Sequence, residues 1–383
     1  MAMTPRERVL SVLDHEIPDR VPIVLGASNA TGIKGVAYRR LAELLGADSG
    51  EQYIYDWPEL GTALPDEAMF RRLHSDVRPV LDAHPRDCLE RNRAREPGSP
   101  FFDSWGIGQV QLAPNDWFPS IHPLADASSV DDLDRIEWPD MDDPTRVEDV
   151  ARQAAALAAD DRYAIMATPW LLFPLERAIG MQGMERFMTA LALDPEFAVA
   201  LVSRCADYCK RLMARFLHEL GDNVDIIKIG DDLGTQTSLM MSPAMYRRLI
   251  KPIHADYIGF IRERTGAKVF FHSDGDIFPL IDDLVEIGVD VLNPIQTSAG
   301  RMSDLPELKK RYGRNLVFCG GIDTHRILPS GSTSEVRDEV RRVIGILGEG
   351  GGYMLAPVHT IMNDVPAENI LAMVDAAVEF GAY

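Results

Sequence analysis

A run of apolar, strand-favouring residues, Val269-Phe270-Phe271, stops at His272, and Ser273, Asp274, Gly275 and Asp276 follow. Side chains alternate along an extended chain, so His272 and Asp274 share one face. His359 closes a second apolar run, "GGYMLAPVH". Two imidazoles and a carboxylate, with one position left open, are the donor set of a catalytic zinc site. Cys319 is a further candidate ligand, although a lone cysteine in an apolar run before Gly320-Gly321 also fits as a small buried residue. The competing reading makes His272 a hydrogen-bonded pocket histidine and Asp274 a turn-former ahead of Gly275.

Asp231 and Asp232 end a third run, "VDIIKIGDD". Alternation sends one of the pair into the pocket, as a general acid or base or as a carboxylate that grips a cationic substrate. Either could instead cap the helix that follows. Trp170, Asn293 and Gln296 stand at the ends of two more runs and are candidate substrate contacts.

These residues need a frame that brings strand ends together. Short continuous apolar runs at 224–232, 267–276, 289–296, 316–323 and 351–359 alternate with amphipathic helical patterns. Runs at 163–170 and 21–26 extend the series, and 76–83 supplies an eighth. Runs of this kind between helices indicate parallel βα units. Because polar residues close nearly every run, the expected fold is α/β, a (β/α)₈ TIM barrel with its chemistry at one mouth. A doubly wound sheet is the alternative. Residues 84–145 break the rhythm: "FFDSWGIGQVQL" reads as a hairpin or an irregular ribbon, and the Pro-, Asp- and Trp-rich stretch after it as an insertion over the mouth. Trp105, Trp117 and Phe118 within it serve local packing or frame the mouth. The whole chain, 1–383, reads as a single domain.

The composition narrows the function. The 383 residues carry a formal net charge of −20, which leaves no basic footprint for nucleic acid. No apolar run reaches the length of a membrane span, and "MAMTPRERVLSVLDHE" lacks the apolar core of a secretory signal. It reads instead as a helix capped by Thr4, with Pro5 in its first turn and Glu7 completing a capping box. The four cysteines form no C-x-x-C pair, so free thiols and a cytoplasmic location are expected.

Four segments in order, "RERVLSVLDHEIPDRVPI", "SPAMYRRLIKPIHADYI", "FFHSDGDI" and "YMLAPVHTIMNDVPAENILAMVDAA", resemble the uroporphyrinogen decarboxylase superfamily over essentially the whole chain. The resemblance implies the same barrel and two main chemistries. True uroporphyrinogen decarboxylases carry an arginine-rich "MRQAGR"-like motif after the first strand. Here that region reads "LGASNATGIKGVAYRRL", which disfavours a substrate with many carboxylates.

The other branch, corrinoid-linked methyltransferases, holds zinc through a His-x-Cys and a later Cys. On that pattern His272 matches the first ligand, Asp274 replaces one Cys, and His359 in "APVH" replaces the other. The resemblance therefore implies methyl transfer at a metal, between a small methoxylated or thiol compound and a corrinoid. No corrinoid-binding "DxHxxG" motif occurs in the sequence, so the corrinoid would come from a partner protein. The alternatives are decarboxylation of a small carboxylated substrate with Arg20, Lys34 and Lys228 as anchors, a metal-assisted hydrolase or lyase, and a non-catalytic binding barrel. The insertion at the mouth is compatible with a homodimer.

Overall fold

Seven parallel strands form one curled sheet in a computed structural model, which describes residues 2–383 apart from 49, 51, 55–60, 97, 114–115 and 171. In chain order they are β1 (Val77–Val80), β5 (Ala164–Ala167), β6 (Ile226–Gly230), β7 (Lys268–His272), β8 (Val291–Ile295), β9 (Val317–Ile322) and β10 (Tyr353–Pro357). Neighbours in sequence are neighbours in the sheet, from β10 at one edge to β1 at the other.

The segment 21–25 joins these two edges. Val24 N donates to Leu355 O and Leu355 N to Pro22 O on the β10 side, each at 2.8 Å, and Asp76 N donates to Ile23 O at 2.8 Å on the β1 side. The ring is thus completed by the run expected as the first strand, as a (β/α)₈ barrel requires.

Alternation decides what fills the ring. Val77, Met166, Ile226, Phe270, Val291, Val317, Cys319 and Met354 share one buried cluster, the barrel interior. Val9, Val12 and Leu13 of helix α1 (Pro5–Leu13) belong to the same cluster and plug one end. The α1 N-terminus is the expected capping box, with Thr4, Pro5 and Glu7 in their anticipated places. The intervening positions, such as Ile227, Ile229, Val269 and Phe271, face outward into the larger cluster shared with the surrounding helices. Nearly every core side chain is fully buried, so both faces of the sheet are covered.

The 84–145 stretch contains a three-stranded antiparallel ribbon: β2 (Phe101–Phe102), β3 (Gly108–Ala113) and β4 (Asp116–Ile121). Residues 97 and 114–115 of this insertion lie outside the described residues. Trp105 is buried against Trp138 and Tyr208, so it serves packing. Phe118 is exposed, and Trp117 stacks edge-on against Phe101. Four further helices matter below: α2 (Pro174–Gln182), α3 (Met184–Leu193), α4 (Pro195–Leu220) and α5 (Lys251–Arg262).

Candidate metal centre

His272 is the last residue of β7, on the same side of the strand as Phe270 and therefore inside the ring. In register it lies between Gly230 of β6 and Asn293 of β8. A Cβ at position 230 would stand 2.2 Å from the His272 carbonyl oxygen, so glycine lets the two strand ends close on each other. Asp274 follows two residues on, and Gly275 then turns the chain at φ +90°. A side chain at 275 would strike the Gly234 backbone at 2.4 Å. The run "HSDGD" is thus a strand end that presents two candidate ligands and a glycine that turns the chain away.

His359 arrives two residues after β10. Its Nε2 lies 3.7 Å from Asp274 Oδ2, and His272 Nε2 lies 3.9 Å from Asp274 Oδ1. The donor atoms of all three residues fall within 4.8 Å of one another. A tetrahedral ion with bonds of about 2.0–2.1 Å asks for donor separations of roughly 3.4 Å, so a small inward movement completes the set.

Two observations fit these residues to a cation. Asp274 Oδ1 is buried and has no hydrogen-bond partner, which is costly unless something occupies that lone pair. His272 is also fixed in the ligating tautomer. Asn293 Nδ2 donates to the Cys319 carbonyl at 3.3 Å, which turns Asn293 Oδ1 to His272 Nδ1 at 2.7 Å. Nδ1 must then carry the proton and Nε2 the free lone pair.

Burial, with Lys228 and His359 nearby, holds the His272 imidazolium well below its ordinary pKa. Burial and the neighbouring Lys228, Lys34 and His325 bring His359 down to about 4. Both rings are neutral near pH 7, as ligands must be. Burial, together with the Asp232 charge, pushes Asp274 up to about 8.

Alternation separates the acid pair after β6. Asp232 lies on the inner side and its Oδ1 accepts from Asp274 N at 2.8 Å. Asp231 lies on the outer side and is fully buried. It accepts from Leu175 N and Glu176 N in the first turn of α2, at 3.0 and 2.7 Å, and from His254 Nε2 on α5 at 2.9 Å. Asp231 therefore binds two helices to the strand, whereas Asp232 faces the site.

The substrate-contact candidates are placed differently. Asn293 is fully buried and spent on His272 and Cys319. Gln296 is buried and accepts from Gly275 N at 2.6 Å, so it braces the turn. Trp170 packs in a separate cluster with Ile54, Leu81 and Phe101, and its backbone N–H donates to Asp82 Oδ1 at 2.6 Å. Cys319 is fully buried among the interior apolar side chains, where burial raises its thiol pKa. It lies outside the three-residue group. Arg20 sits at the far end of the barrel on Asp76.

Two residues of weight have no strand-end signal. Lys228, in mid-β6, is buried over the Phe173 ring at 4.7 Å, and burial, opposed by Glu176, Asp232 and Asp274, brings its pKa down to about 8. Glu176 enters from the first turn of α2, where burial beside Asp232 and Asp231 raises its carboxyl well above the usual range. The motif "TPWLLFPLE" after β5 carries that carboxylate at the start of a helix, the one trace of it in the sequence.

An eight-stave barrel with a three-donor site at the carboxyl ends of its strands defines an enzyme-type scaffold. The uroporphyrinogen decarboxylase (URO-D) family model matches residues 106–380, and the chain belongs to that family. Uroporphyrinogen decarboxylase of Actinobacillus succinogenes is 29% identical over 125 residues, which is 32% of this chain and 33% of that protein. The chain thus spans about a third of the length of this curated relative. The enzyme of that name from Coxiella burnetii is 21% identical over 281 residues, 68% of this chain and 71% of its own. Among solved structures, a methyltransferase from Methanosarcina mazei shares the fold with a TM-score of 0.65 and 18% identity, over 99% of both chains.

Proposed function

We propose that this protein is a methyltransferase that uses a zinc ion held by His272, Asp274 and His359. It would move a methyl group between a small methoxylated or thiol compound and a corrinoid carried by a partner protein. The observation that carries this reading is the convergence of three donors from two staves, with one histidine already locked in the ligating tautomer. The likeness to the Methanosarcina fold agrees with it.

When bound, zinc supplies a Lewis acid that lowers the pKa of a substrate heteroatom. The chain's own residues do the rest. Asn293 orients His272, and Gln296 braces the turn that aims Asp274. Asp232 and Glu176 stand beside the site as the groups able to hold or release a proton at the substrate's leaving atom. Burial of Asp232, with the Asp231 charge beside it, raises its pKa, against the pull of the Asp274 amide and Lys228.

A decarboxylase is the second reading, because the curated relatives carry that name. It needs cations to grip a carboxylate. Lys228 and Lys34 are the candidates: three acids, Glu176, Asp232 and Asp274, already act on Lys228, and Lys34 acts on His359.

Elemental analysis of the purified chain tests the proposal. About one zinc per chain is expected in the wild type and a small residual fraction in His359→Ala. Chelator treatment should abolish methyl exchange with a methyl-corrinoid protein, and added zinc should restore it. A wild-type chain that neither holds nor takes up a stoichiometric ion would end the metal reading.

A further inference from the structure

A cavity of about 630 Å³ opens beside the metal centre, between the β3–β4 hairpin and helices α2 and α3. That is within the range for drug-sized ligands. Its walls are apolar: Ile107 before the hairpin, Ile179 on α2, Met184 and Met188 on α3. Glu176 and Asp232 also line it. Asp232 bonds the Asp274 backbone, so this end of the cavity adjoins the metal ligands.

The lining holds one guanidinium, Arg177, whose Nη1 donates to the buried Asp103 at 3.0 Å. Its charge is thereby balanced. The two acids have no cation of their own among the described lining residues, and behind them one buried lysine, Lys228, is shared by Glu176, Asp232 and Asp274. An anionic guest would enter a low-dielectric space and meet like charge. A neutral guest would leave the acids crowded around a single lysine. A cation between them would relieve that repulsion, and thioether sulfur and aliphatic walls would receive its apolar body. The chain's net charge of −20 also concentrates cations near its surface.

We propose that this cavity seats the substrate, and that the substrate is an apolar molecule bearing a positively charged nitrogen, which docks between Glu176 and Asp232. The inference deepens the methyl-transfer reading and rests on it only for what happens to the bound molecule. The ammonium is the recognised head, and the reacting heteroatom is a separate group directed at the metal ligands.

Three probes of one shape and different charge test it: benzylamine, benzyl alcohol and benzoate. Binding of each to the full chain at pH 7 is measured by calorimetry, both zinc-loaded and chelator-stripped. Benzylamine is expected to bind at least tenfold more tightly than either of the others in both states. Glu176→Gln should weaken benzylamine about tenfold and leave benzyl alcohol unchanged. Met188→Trp, which fills the space without touching charge, should weaken all three. Circular dichroism checks that each variant is folded. Benzoate or benzyl alcohol binding as tightly as benzylamine would overturn the proposal, as would an unaltered benzylamine affinity in folded Glu176→Gln. The two readings fail separately. Charge preference without stoichiometric zinc removes the methyl-transfer reading alone, and stoichiometric zinc without charge preference removes this one alone.

Discussion

Asn293 acts on the candidate metal centre at one remove. It touches no open space, yet it settles which nitrogen of His272 is available. Outer partners of this kind are worth about 10- to 100-fold in metal affinity. Asn293→Ala should therefore weaken zinc binding by that factor in a chelator competition. Asn293→Asp keeps an acceptor for His272 Nδ1 and should recover most of the loss. If both variants hold zinc as the wild type does, the asparagine only fills space. At this scale the sequence was readable where period-two alternation applies. His272 and Asp274 follow from the strand ending, and alternation implies that one of Asp231 and Asp232 faces the pocket. It was unreadable for Asn293, because an amide that supports a ligand and an amide that contacts substrate occupy the same place in a strand pattern. Glu176 escaped for a related reason: its position depends on where α2 packs, which no local period records.

Helix α2 is set by a single carboxylate. Its first turn has amide donors without helical partners, and Asp231 accepts two of them while also bonding His254 on α5. Tyr246 closes the chain of contacts, with its hydroxyl 3.2 Å from His254 Nδ1. Pro174 at the start of α2 needs no amide partner, which lets the helix begin directly beneath the strand end. Asp231→Ala would leave buried donors on three residues unmet. The expected loss is about 3 kcal/mol in denaturant unfolding, from the cap and the unsatisfied groups together. Because α2 carries Glu176, benzylamine affinity should fall as well, whereas zinc stoichiometry should hold. Unchanged stability would show that water or neighbouring groups replace the carboxylate. The βα alternation was plain in the sequence, since each stave is a continuous apolar run. The insertion was legible only as a hairpin or irregular ribbon somewhere over the mouth. That it forms a cavity wall follows from tertiary packing of Ile107, ahead of β3, against α2, where even a Cβ on Gly180 would come within 2.6 Å of the isoleucine.

Across the whole molecule, the candidate metal centre depends on a ring that must be closed at its opposite end. Asp76, just before β1, is the closing pin. Its Oδ2 accepts from Ile23 N at 2.7 Å, and its Oδ1 receives Arg8 of α1 at 2.6 Å and Arg20 at 3.0 Å. Arg8 also pairs with Asp19, so the plug helix, the closing segment and the first stave share one buried network. Such a network is easily broken from one side, because removing a charge strands its partners. Asp76→Asn keeps the shape and an acceptor for Ile23 N but leaves two arginines without their buried anion. The expected cost is about 3 kcal/mol. Hydrogen exchange should locate the effect: amides of 21–25 and of α1 should exchange faster, whereas those of β7 and β8 around His272 keep their protection. Zinc content should stay at one per chain below the lowered unfolding temperature, since the network and the ligands stand at opposite ends of the staves. Faster exchange spread evenly over all the staves would mean instead that the barrel opens as one unit, and that its metal centre is no more stable than its seam.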